Sequence, residues 1–358
     1  MLLALGAARA AETPDGEAGD RLDFIESSLR IASGYHGPAR SAFARRELDR
    51  MAEELASRIP GVDDPAETIR ILNHYVFVEQ KFSYTGTPGR LPAQSLFLDE
   101  VMHYRRGQCV GLAFVYLALA DRLELPIRGV MVPNHFLLRW ESDGFRRNID
   151  PGLRGRSRPD RYYVRTRGIL PQQRGSLYLK SLSPVQSLGY LLHLRGVLHT
   201  LDGNYDRARA DHDAAGLAFD EDGSDNPMSC NFMGDVFLAR AEAKDGEPEA
   251  VQRDGDTALD LYQKAIEADR FFEPSYLNRA FVFRLQGNIE SAIYECNRAL
   301  EINPSYVRAL FWRGAFHFMD DNPGAARRDF RKVINHGPDT PFYALAREYM
   351  KRIRDLAD

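Results

Sequence analysis

The order of hydrophobic and polar residues predicts two architectures in succession. Over residues 21–170 helix-like spacing comes first and is followed by strand-like runs. From residue 184 to the end, the apolar positions recur with helical spacing alone. We therefore expect an α+β domain at 21–170, with N-terminal helices packed on a small antiparallel sheet, then a linker at 171–183 and an all-α domain at 184–358.

Helices and strands of the first domain are predicted from spacing and from start and stop signals. The predicted helices are Pro65–Phe82, a short one near Ser95–Tyr104, and one from Cys109 to Leu123 with an apolar face. The predicted strands are Ile127–Val132, His135–Trp140 and Phe145–Ile149, the last two joined by the polar turn Glu141–Gly144. If those two strands are antiparallel neighbours, His135 and Asp150 lie at the same end of a hairpin and their side chains can meet.

The second domain repeats itself at a period of 34 residues. This offset superposes Ala258, Ala292 and Ala326, then Tyr262, Cys296 and Phe330, then Ala265, Ala299 and Val333. The period is that of tetratricopeptide repeats, in which small residues recur where the two helices of a unit touch. We predict four repeats, one of them starting at Met233-Gly234 and interrupted by an acidic, Gly-rich insertion over 244–256, and a capping helix at Pro341–Leu356.

Composition and charge narrow the class of protein. A chain of 358 residues with 44% hydrophobic content can bury two cores, and its net charge of -4 gives no reason to expect nucleic acid as a partner. No apolar run reaches the roughly 18 residues of a membrane span. Three scattered cysteines cannot form a disulfide framework. Residues 1–20 resemble either a disordered lead-in or the remnant of a secretory signal, which leaves a periplasmic or secreted location and a cytoplasmic one both open.

Three residues of the first domain carry the elements of thiol chemistry. Cys109 starts a helix, where the helix dipole and the nearby Arg105 and Arg106 favour thiolate over thiol. His135 and Asp150 follow on strand-like segments, so an imidazole can activate the sulfur and a carboxylate can orient the imidazole. Taken singly, His135 is also interpretable as a partly buried histidine and Asp150 as a turn residue before proline.

Taken together, these residues and the strings around them resemble the transglutaminase-like superfamily. The strings are Arg105–Cys109, Leu112–Ala120, Leu125-Pro126, Pro133–Arg139 and Ile149–Pro151, in that order, and they look most like a bacterial subgroup in which tetratricopeptide repeats follow the core. The resemblance covers residues 21–170 and implies a papain-related fold. It also implies that Cys109 is the nucleophile, His135 the general base and acid, and Asp150 the orienting carboxylate.

The sequence indicates the oxyanion donor and the need for a cofactor less directly. The backbone N–H of Cys109 at its helix terminus is one donor, and Gln108 or Gln80 is a candidate for another, although surface polar residues are the simpler interpretation of both. No calcium-type spacing of acidic residues occurs in the core. We therefore expect no metal and no cofactor.

The functional prediction is a cysteine acyl-transfer enzyme acting on amide bonds of a protein or peptide. Proteolysis, deamidation and crosslinking share the nucleophile and stay open. The concave surface of the repeats is expected to bind a protein or peptide, or else the array only supports the core. The alternatives are an adaptor without catalysis, because some relatives have lost the cysteine, and a redox sensor. Cys296 is expected to be an inert core residue, and Cys230 to precede a repeat helix.

An arginine-rich run separates the two domains. It comprises Arg154, Arg156, Arg158, Arg161, Arg165, Arg167 and Arg174, with Asp160 as its acid. Such a run suits acidic ligands, including phosphate or nucleic acid. Two simpler explanations are the general excess of arginine over lysine and contact with the acidic stretch Asp220–Asp225. The interleaved Tyr162 and Tyr163 do not suffice to predict base stacking.

Overall fold

The computed structural model describes residues 22–59, 64–86, 93–173, 178–219, 226–244, 246–338 and 340–355. The chain forms two compact units that divide between Arg195 and Gly196. The expectations for residues 1–20, Arg174 and the stretch 220–225 lie outside the described residues. Among the helices that are described, none has both the length and the apolar character needed to cross a bilayer.

The first unit contains helices on both sides of the chain segment that carries Cys109. They are α1 (Phe24–His36), α2 (Ser41–Ala56), α3 (Pro65–His74), α4 (Leu98–Tyr104), α5 (Cys109–Arg122) and α6 (Asp160–Arg167). Asp64 caps α3, as its side chain accepts from the N–H groups of Ala66 and Glu67. The helix predicted to extend to Phe82 instead continues as a π-helical turn, Tyr75–Glu79. The short helix predicted from Ser95 starts later, at Leu98.

Helix α5, for which the sequence indicated an apolar face, is buried all round. Every residue from Val110 to Ala120 is buried, not only those on the predicted face. The cause is visible in the composition, because this stretch has apolar or glycine residues at all of its positions. Helix α5 is therefore the central element of the first unit, with neighbours on every side from Val110 to Ala120.

The strands form one antiparallel sheet and a short parallel pair. The strands are β1 (Ser83–Tyr84), β2 (Arg106–Gly107), β3 (Ile127–Val132), β4 (His135–Ser142), β5 (Phe145–Ile149) and β6 (Ser181–Leu182). The sheet has the order β5-β4-β3-β6, and β1 pairs in parallel with β2. The predicted β4 is extended to Ser142, so the turn before Phe145 is shorter than expected. The predicted antiparallel pairing of β4 with β5 is confirmed, with Leu138 opposite Ile149.

The second unit consists of helices that succeed each other through short turns. Helix α7 (Pro184–Leu201) crosses the boundary between the units, and it is followed by α8 (Tyr205–Phe219), α9 (Pro227–Glu242), α10 (Pro248–Ala268), α11 (Glu273–Leu285), α12 (Ile289–Ile302), α13 (Val307–Met319), α14 (Pro323–His336) and α15 (Pro341–Asp355). The predicted fold class, an α+β core followed by an all-α repeat array, is confirmed. Small residues make the contacts: a Cβ on Gly314 would lie only 3.0 Å from Cε1 of Phe330.

Two local expectations in the repeat unit were wrong. The insertion predicted over 244–256 is helical from Pro248 onward, because α10 starts there and buries Asp254 and Gly255. Cys230 lies inside α9, which starts at Pro227, and does not precede that helix. Cys296 is fully buried in the core, as expected, and burial raises the pKa of its thiol.

A buried ion pair recurs between the helices of the repeat unit. Three arginines on α9, α11 and α13 each contact an acid on the following helix: Arg240 with Asp254 at 2.7 Å, Arg279 with Glu295 at 3.1 Å, and Arg313 with Asp329 at 2.6 Å. The second and third pairs are 34 residues apart at both members. These pairs were not predicted from the sequence, although the same offset that aligns the alanines also aligns the charges.

Candidate active site

Cys109 is held at the first position of α5 by the segment that precedes it. Gly107 in β2 pairs with Tyr84 in β1, and the N–H of Gln108 donates to the carbonyl of Ser95 over 2.9 Å. A side chain at Gly111 would collide with that same carbonyl, so the first turn of the helix requires glycine there. The half-buried Cys109 thus lies at a fixed point, with the dipole of α5 directed at it.

His135 and Asp150 meet at one end of the β4–β5 hairpin. His135 is the first residue of β4, and Asp150 directly follows β5. The Nε2 atom of His135 lies 3.0 Å from each carboxylate oxygen of Asp150. Because the two residues are only 6% and 2% exposed, water does not compete for this contact. This geometry agrees with the expectation that the two side chains can meet.

The thiol of Cys109 interacts with the same imidazole, which lowers the pKa of the thiol. Since Nε2 faces Asp150, Nδ1 is the ring nitrogen left for the sulfur. Burial by itself raises the pKa of Cys109, but the hydrogen bond and charge of His135, with backbone N–H groups of Phe136 and Val110, hold it below its ordinary value. Burial likewise lowers the pKa of His135, and Asp150 and Cys109 outweigh it, raising that pKa to about 9. The two shifts favour a thiolate–imidazolium pair.

Asp150 is held by further donors besides the imidazole. The N–H of Gly152 donates to Oδ1 over 2.9 Å, and the hydroxyl of Tyr163 donates to Oδ2 over 2.8 Å. Burial raises the pKa of Asp150, but these donors and His135 together keep it below its usual range. The carboxylate therefore stays charged and fixed in the position that orients His135.

Tyr163 is the site residue that sequence reasoning missed. Its ring is stacked on His135 with centroids 6.3 Å apart, and its helix α6 is anchored by the buried Arg139, whose Nη2 lies 2.8 Å from Oδ1 of Asp160. Asn148 donates to the same oxygen over 2.7 Å. The only local signal was a tyrosine within the arginine run, and nothing in the spacing connects it to Asp150.

The other predicted site residues have different surroundings. The side-chain oxygen of Gln80 accepts from Arg50 over 3.3 Å, and Gln108 is the residue that precedes α5, where its backbone N–H is already bonded. Arg105 ion-pairs with Glu47 at 2.7 Å and stacks over Phe82, so the electrostatic role expected of Arg105 is taken by His135. Gln80 and Gln108 stay predictions as oxyanion donors.

Tyr84 flanks the thiol from β1. It is 45% exposed, and burial of its hydroxyl, together with the negative charges of Cys109 and Asp150, raises its pKa. A Cβ on Gly152 would lie 3.8 Å from the ring of Tyr84, which places that ring against the turn after Asp150. In the residues that the structure describes, no cluster of His, Cys, Asp or Glu is arranged to hold a metal ion.

Comparison with known proteins identifies the class to which this site belongs. Residues 42–186 match the family model of the transglutaminase-like superfamily, so this region is a transglutaminase-like core. The chain is 29% identical over 199 residues to a UPF0162 protein of Xylella fastidiosa strain Temecula1, covering 52% of this chain and 68% of the relative. A UPF0162 protein of Pseudomonas aeruginosa is 31% identical over 187 residues, covering 50% of this chain and 66% of the relative.

Solved structures with similarity to the chain contain tetratricopeptide repeats. The first repeat domain of Spaghetti (RPAP3), bound to an HSP90 peptide, is 26% identical with a TM-score of 0.28, covering 33% of this chain and 97% of that one. TTC0263 of Thermus thermophilus is 12% identical with a TM-score of 0.40, and the match covers 47% of this chain and 91% of TTC0263. A transglutaminase-like region joined to a helical repeat array indicates a role in protein interaction.

Proposed function

We propose that the protein is a thiol acyl-transfer enzyme that acts on amide bonds of a protein or peptide. The observation that supports this most strongly is the buried contact of His135 with Asp150 at 3.0 Å, with Tyr163 behind the carboxylate and with the imidazole lowering the pKa of the Cys109 thiol. The opposite pKa shifts of the thiol and the imidazole are those that an activated nucleophile needs. A structural role alone does not require a partly exposed sulfur beside a buried imidazole–carboxylate pair.

In the proposed reaction the Cys109 sulfur attacks the amide carbonyl carbon and forms a tetrahedral intermediate. His135 then donates its proton to the amide nitrogen, the C–N bond breaks, and the amine leaves a thioester on the sulfur. Water attacking the thioester gives a carboxylic acid, as in proteolysis or deamidation, whereas an amine gives a new amide, as in crosslinking. In either case His135 takes the proton of the attacking group.

The oxyanion of the intermediate is stabilised by the N-terminus of α5. Cys109 is the first residue of this helix, so its N–H has no intrahelical acceptor and can donate to the oxyanion. The adjacent Gln108 and the more distant Gln80 are proposed as weaker, second donors. In this proposal the thiol is the nucleophile, His135 transfers the protons and Asp150 holds the imidazole. No step of the proposed reaction therefore uses a metal or cofactor.

The repeat unit is proposed to bind the protein or peptide partner. Arrays of helical hairpins present an extended surface formed by one helix of each pair, and such surfaces commonly bind extended chains. In this unit the recurring buried ion pairs fix one helix against the next. The surface is thereby held rigid, which lowers the conformational cost of binding.

Acetylation by 4-nitrophenyl acetate tests the proposal, because this small activated ester acylates a reactive thiol whatever the natural substrate is. We expect a rapid burst of nitrophenolate and one acetyl group per chain on Cys109, located by mass spectrometry of peptides. The burst should be lost in Cys109→Ala, strongly slowed in His135→Ala, and retained in the matched control Cys230→Ala. Acetylation that is equally fast in His135→Ala would contradict the proposal and leave the protein-interaction role alone.

A further inference from the structure

The segment that follows Asp150 presents a row of exposed arginines, here called the arginine rim. Its members are Arg154, Arg156, Arg158, Arg161, Arg165 and Arg167, all on the surface of the first unit. Asp160, the acid of the segment, is already bonded by Arg139 and Asn148. Within the described residues, none of the six guanidinium groups forms an ion pair with a carboxylate. The rim is therefore a concentrated, uncompensated positive charge on a chain whose net charge is -4.

The first part of the rim is fixed to the active site by the backbone. The N–H of Gly155 donates to the carbonyl of Asp150 over 2.8 Å, so Arg154 and Arg156 extend from the turn that follows the carboxylate. Asn73 donates to the carbonyl of Gly155 over 3.0 Å. A side chain at Gly155 would collide with Asn73, which shows how closely the turn is packed on α3. These arginines are thus presented by a well-defined surface.

The second part of the rim extends along α6. Tyr163 faces Asp150, so Arg161 and Arg165, two residues away on either side, lie on the opposite face of the helix. Arg167 follows Tyr163 by one turn on the same side. Burial raises the pKa of both Tyr84 and Tyr163, and the charge of Arg167 opposes the rise in each case. Arg167 is therefore within electrostatic reach of both tyrosines that flank Cys109, His135 and Asp150.

We infer that the arginine rim recognises an acidic peptide segment, so that the substrate of the thiol site carries carboxylates next to the amide that reacts. This inference rests on the proposed function and specifies its substrate class. Guanidinium groups bind carboxylates through paired hydrogen bonds, and several of them spaced along a surface select an acidic stretch over a single charge. The rim then binds the acidic side chains of the substrate peptide, and the thiol reacts with an amide of the same peptide.

The surroundings of the rim favour a peptide over a nucleic acid. Binding of single strands generally requires open aromatic faces on which bases stack. Tyr162, the aromatic residue of the rim, has the guanidinium of Arg158 5.4 Å above its ring, and it meets Tyr163 edge to face at 5.2 Å. Moreover, the adjacent thiol reacts with acyl carbon, which a peptide supplies.

The ratio of two alkylation rates measures the field at Cys109 directly. Iodoacetate is an anion and iodoacetamide is neutral, and the same thiolate displaces iodide from both, so the ratio of the two rates cancels the degree of thiol activation. We expect the ratio to fall several-fold in Arg154→Gln/Arg156→Gln/Arg167→Gln, because the loss of three positive charges weakens the attraction of the anionic reagent to the site. Raising the salt concentration should remove most of the difference.

A matched control removes three arginines elsewhere on the same unit. Arg46, Arg128 and Arg147 are exposed, and Arg46→Gln/Arg128→Gln/Arg147→Gln changes the net charge by the same amount. This triple should leave the ratio nearly unchanged. Equal effects of the two triples, or no effect of the first, would overturn the inference. If the thiol is not activated, the pH dependence of each single rate will be that of an ordinary thiol. Failure of the proposed function is thereby distinguished from failure of the inference.

Direct binding identifies the kind of ligand. With Cys109→Ser protein, we expect a fluorescein-labelled glutamate-rich peptide to increase in anisotropy, and a lysine-rich peptide of equal length to show no change. The variant Arg154→Gln/Arg156→Gln/Arg167→Gln should bind the acidic peptide at least about tenfold more weakly, as expected for the loss of three charge-assisted contacts. An oligothymidylate that binds more tightly than the acidic peptide, or peptide binding that survives in the rim triple, would overturn the assignment.

Discussion

Cys109 and Cys296 are both largely shielded from bulk water, but the groups around them differ. In the repeat unit Cys296 is enclosed by the core, and burial raises the pKa of its thiol far above the ordinary value. In the first unit burial acts on Cys109 in the same direction, but the hydrogen bond and charge of His135 reverse the outcome. Burial alone thus makes a thiol inert, and a buried cationic partner makes it reactive.

The same contrast holds for the charges that each unit buries. The repeat unit pairs arginine with aspartate or glutamate at recurring positions, and these permanent charges neutralise each other. The first unit places Cys109 beside His135, and the interaction lowers the pKa of the thiol and raises the pKa of the imidazole to about 9. A stable ion pair fixes geometry, whereas a titratable pair can transfer a proton during a reaction. Substitutions in each kind of pair test this difference.

The largest expected effect is on the stability of the repeat unit. Arg313→Met leaves the carboxylate of Asp329, which is 3% exposed, without its cation and should lower the free energy of unfolding by about 3–5 kcal/mol. Adding Asp329→Leu to Arg313→Met should restore most of the lost free energy of unfolding. The chain has one tryptophan in each unit, so urea unfolding followed by Trp312 fluorescence in a Trp140→Phe background reports on this unit alone.

The control for this variant is an ion pair on the surface. Arg298 pairs with Glu301 at 2.9 Å, with both side chains largely exposed, and Arg298→Met should cost at most about 1 kcal/mol. Neither variant should alter alkylation of Cys109. A loss as small for Arg313→Met as for Arg298→Met would contradict the account of the repeat unit.

The next effect is the pH dependence of the stability of the first unit. The pKa of His135 is raised from 6.5 to about 9, so its contribution is fully present below about pH 6.5 and is lost as the pH rises through about 9. The difference in unfolding free energy between the wild type and His135→Gln should therefore decrease by on the order of 3 kcal/mol over that range. Trp140 fluorescence in a Trp312→Phe background measures it.

His74 provides the matched control for this titration, because it belongs to the same unit and its side chain is 56% exposed. His74→Gln should change the free energy of unfolding by less than about 0.5 kcal/mol, because an exposed side chain contributes little to stability. If the difference for His135→Gln is constant from pH 6.5 to 9, the imidazole is not held in its charged form.

A smaller effect is expected from the tyrosine behind the carboxylate. Tyr163→Phe removes the donor to Oδ2 of Asp150 and should cost about 1–2 kcal/mol, because the buried acceptor then lacks one partner. The pKa of Asp150 should rise, so stability is lost at a higher pH on acidification. Alkylation of Cys109 should slow several-fold.

The neighbouring Tyr162 is the control, since it also packs on Tyr163 but contributes no hydroxyl to Asp150. Tyr162→Phe should leave the acid limb of stability and the rate of alkylation unchanged. Equal effects of the two substitutions would show that Tyr163 acts through packing and does not orient the carboxylate.

The smallest expected effect on stability comes from Gly152. A Cβ there would lie 3.2 Å from Oδ1 of Asp150 and 3.3 Å from Cε1 of His135, so the pair must shift by a few tenths of an ångström. Gly152→Ala should change the unfolding free energy by less than about 1 kcal/mol, because the restricted unfolded chain offsets the strain. Alkylation of Cys109 should nevertheless slow a few-fold. Gly216→Ala, with its nearest neighbour at 3.7 Å, should leave the rate unchanged.

Local signals carried much of the fold and part of the site. The strands β3 and β5 have the predicted bounds, since alternation and turn residues are encoded within a few positions. The start of α5 at Cys109 and the approach of His135 to Asp150 follow from a helix boundary and one hairpin. The 34-residue period likewise predicted the helical repeats, because each unit repeats the same local contacts.

Features that depend on distant contacts could not be predicted in this way. Tyr163 reaches Asp150 only because Arg139 on β4 anchors α6, and that anchor involves residues from three separate elements. Arg105 turns to Glu47 on α2, 58 residues earlier, which no local pattern reveals. The helical continuation at Pro248 was missed because glycine and aspartate, common in loops, are tolerated in a helix that packs against its neighbours.

The measurement that tests the central claim most directly is the rate of Cys109 alkylation by iodoacetamide between about pH 5 and 9, with Cys230 and Cys296 followed in the same sample. We predict a rate that is already high well below about pH 8.5, where an ordinary thiol titrates, and that changes again near pH 9, where His135 loses its proton. In His135→Ala, unopposed burial should move the rise above about pH 8.5. A wild-type profile that follows an ordinary thiol, or one that His135→Ala leaves unchanged, would contradict the account.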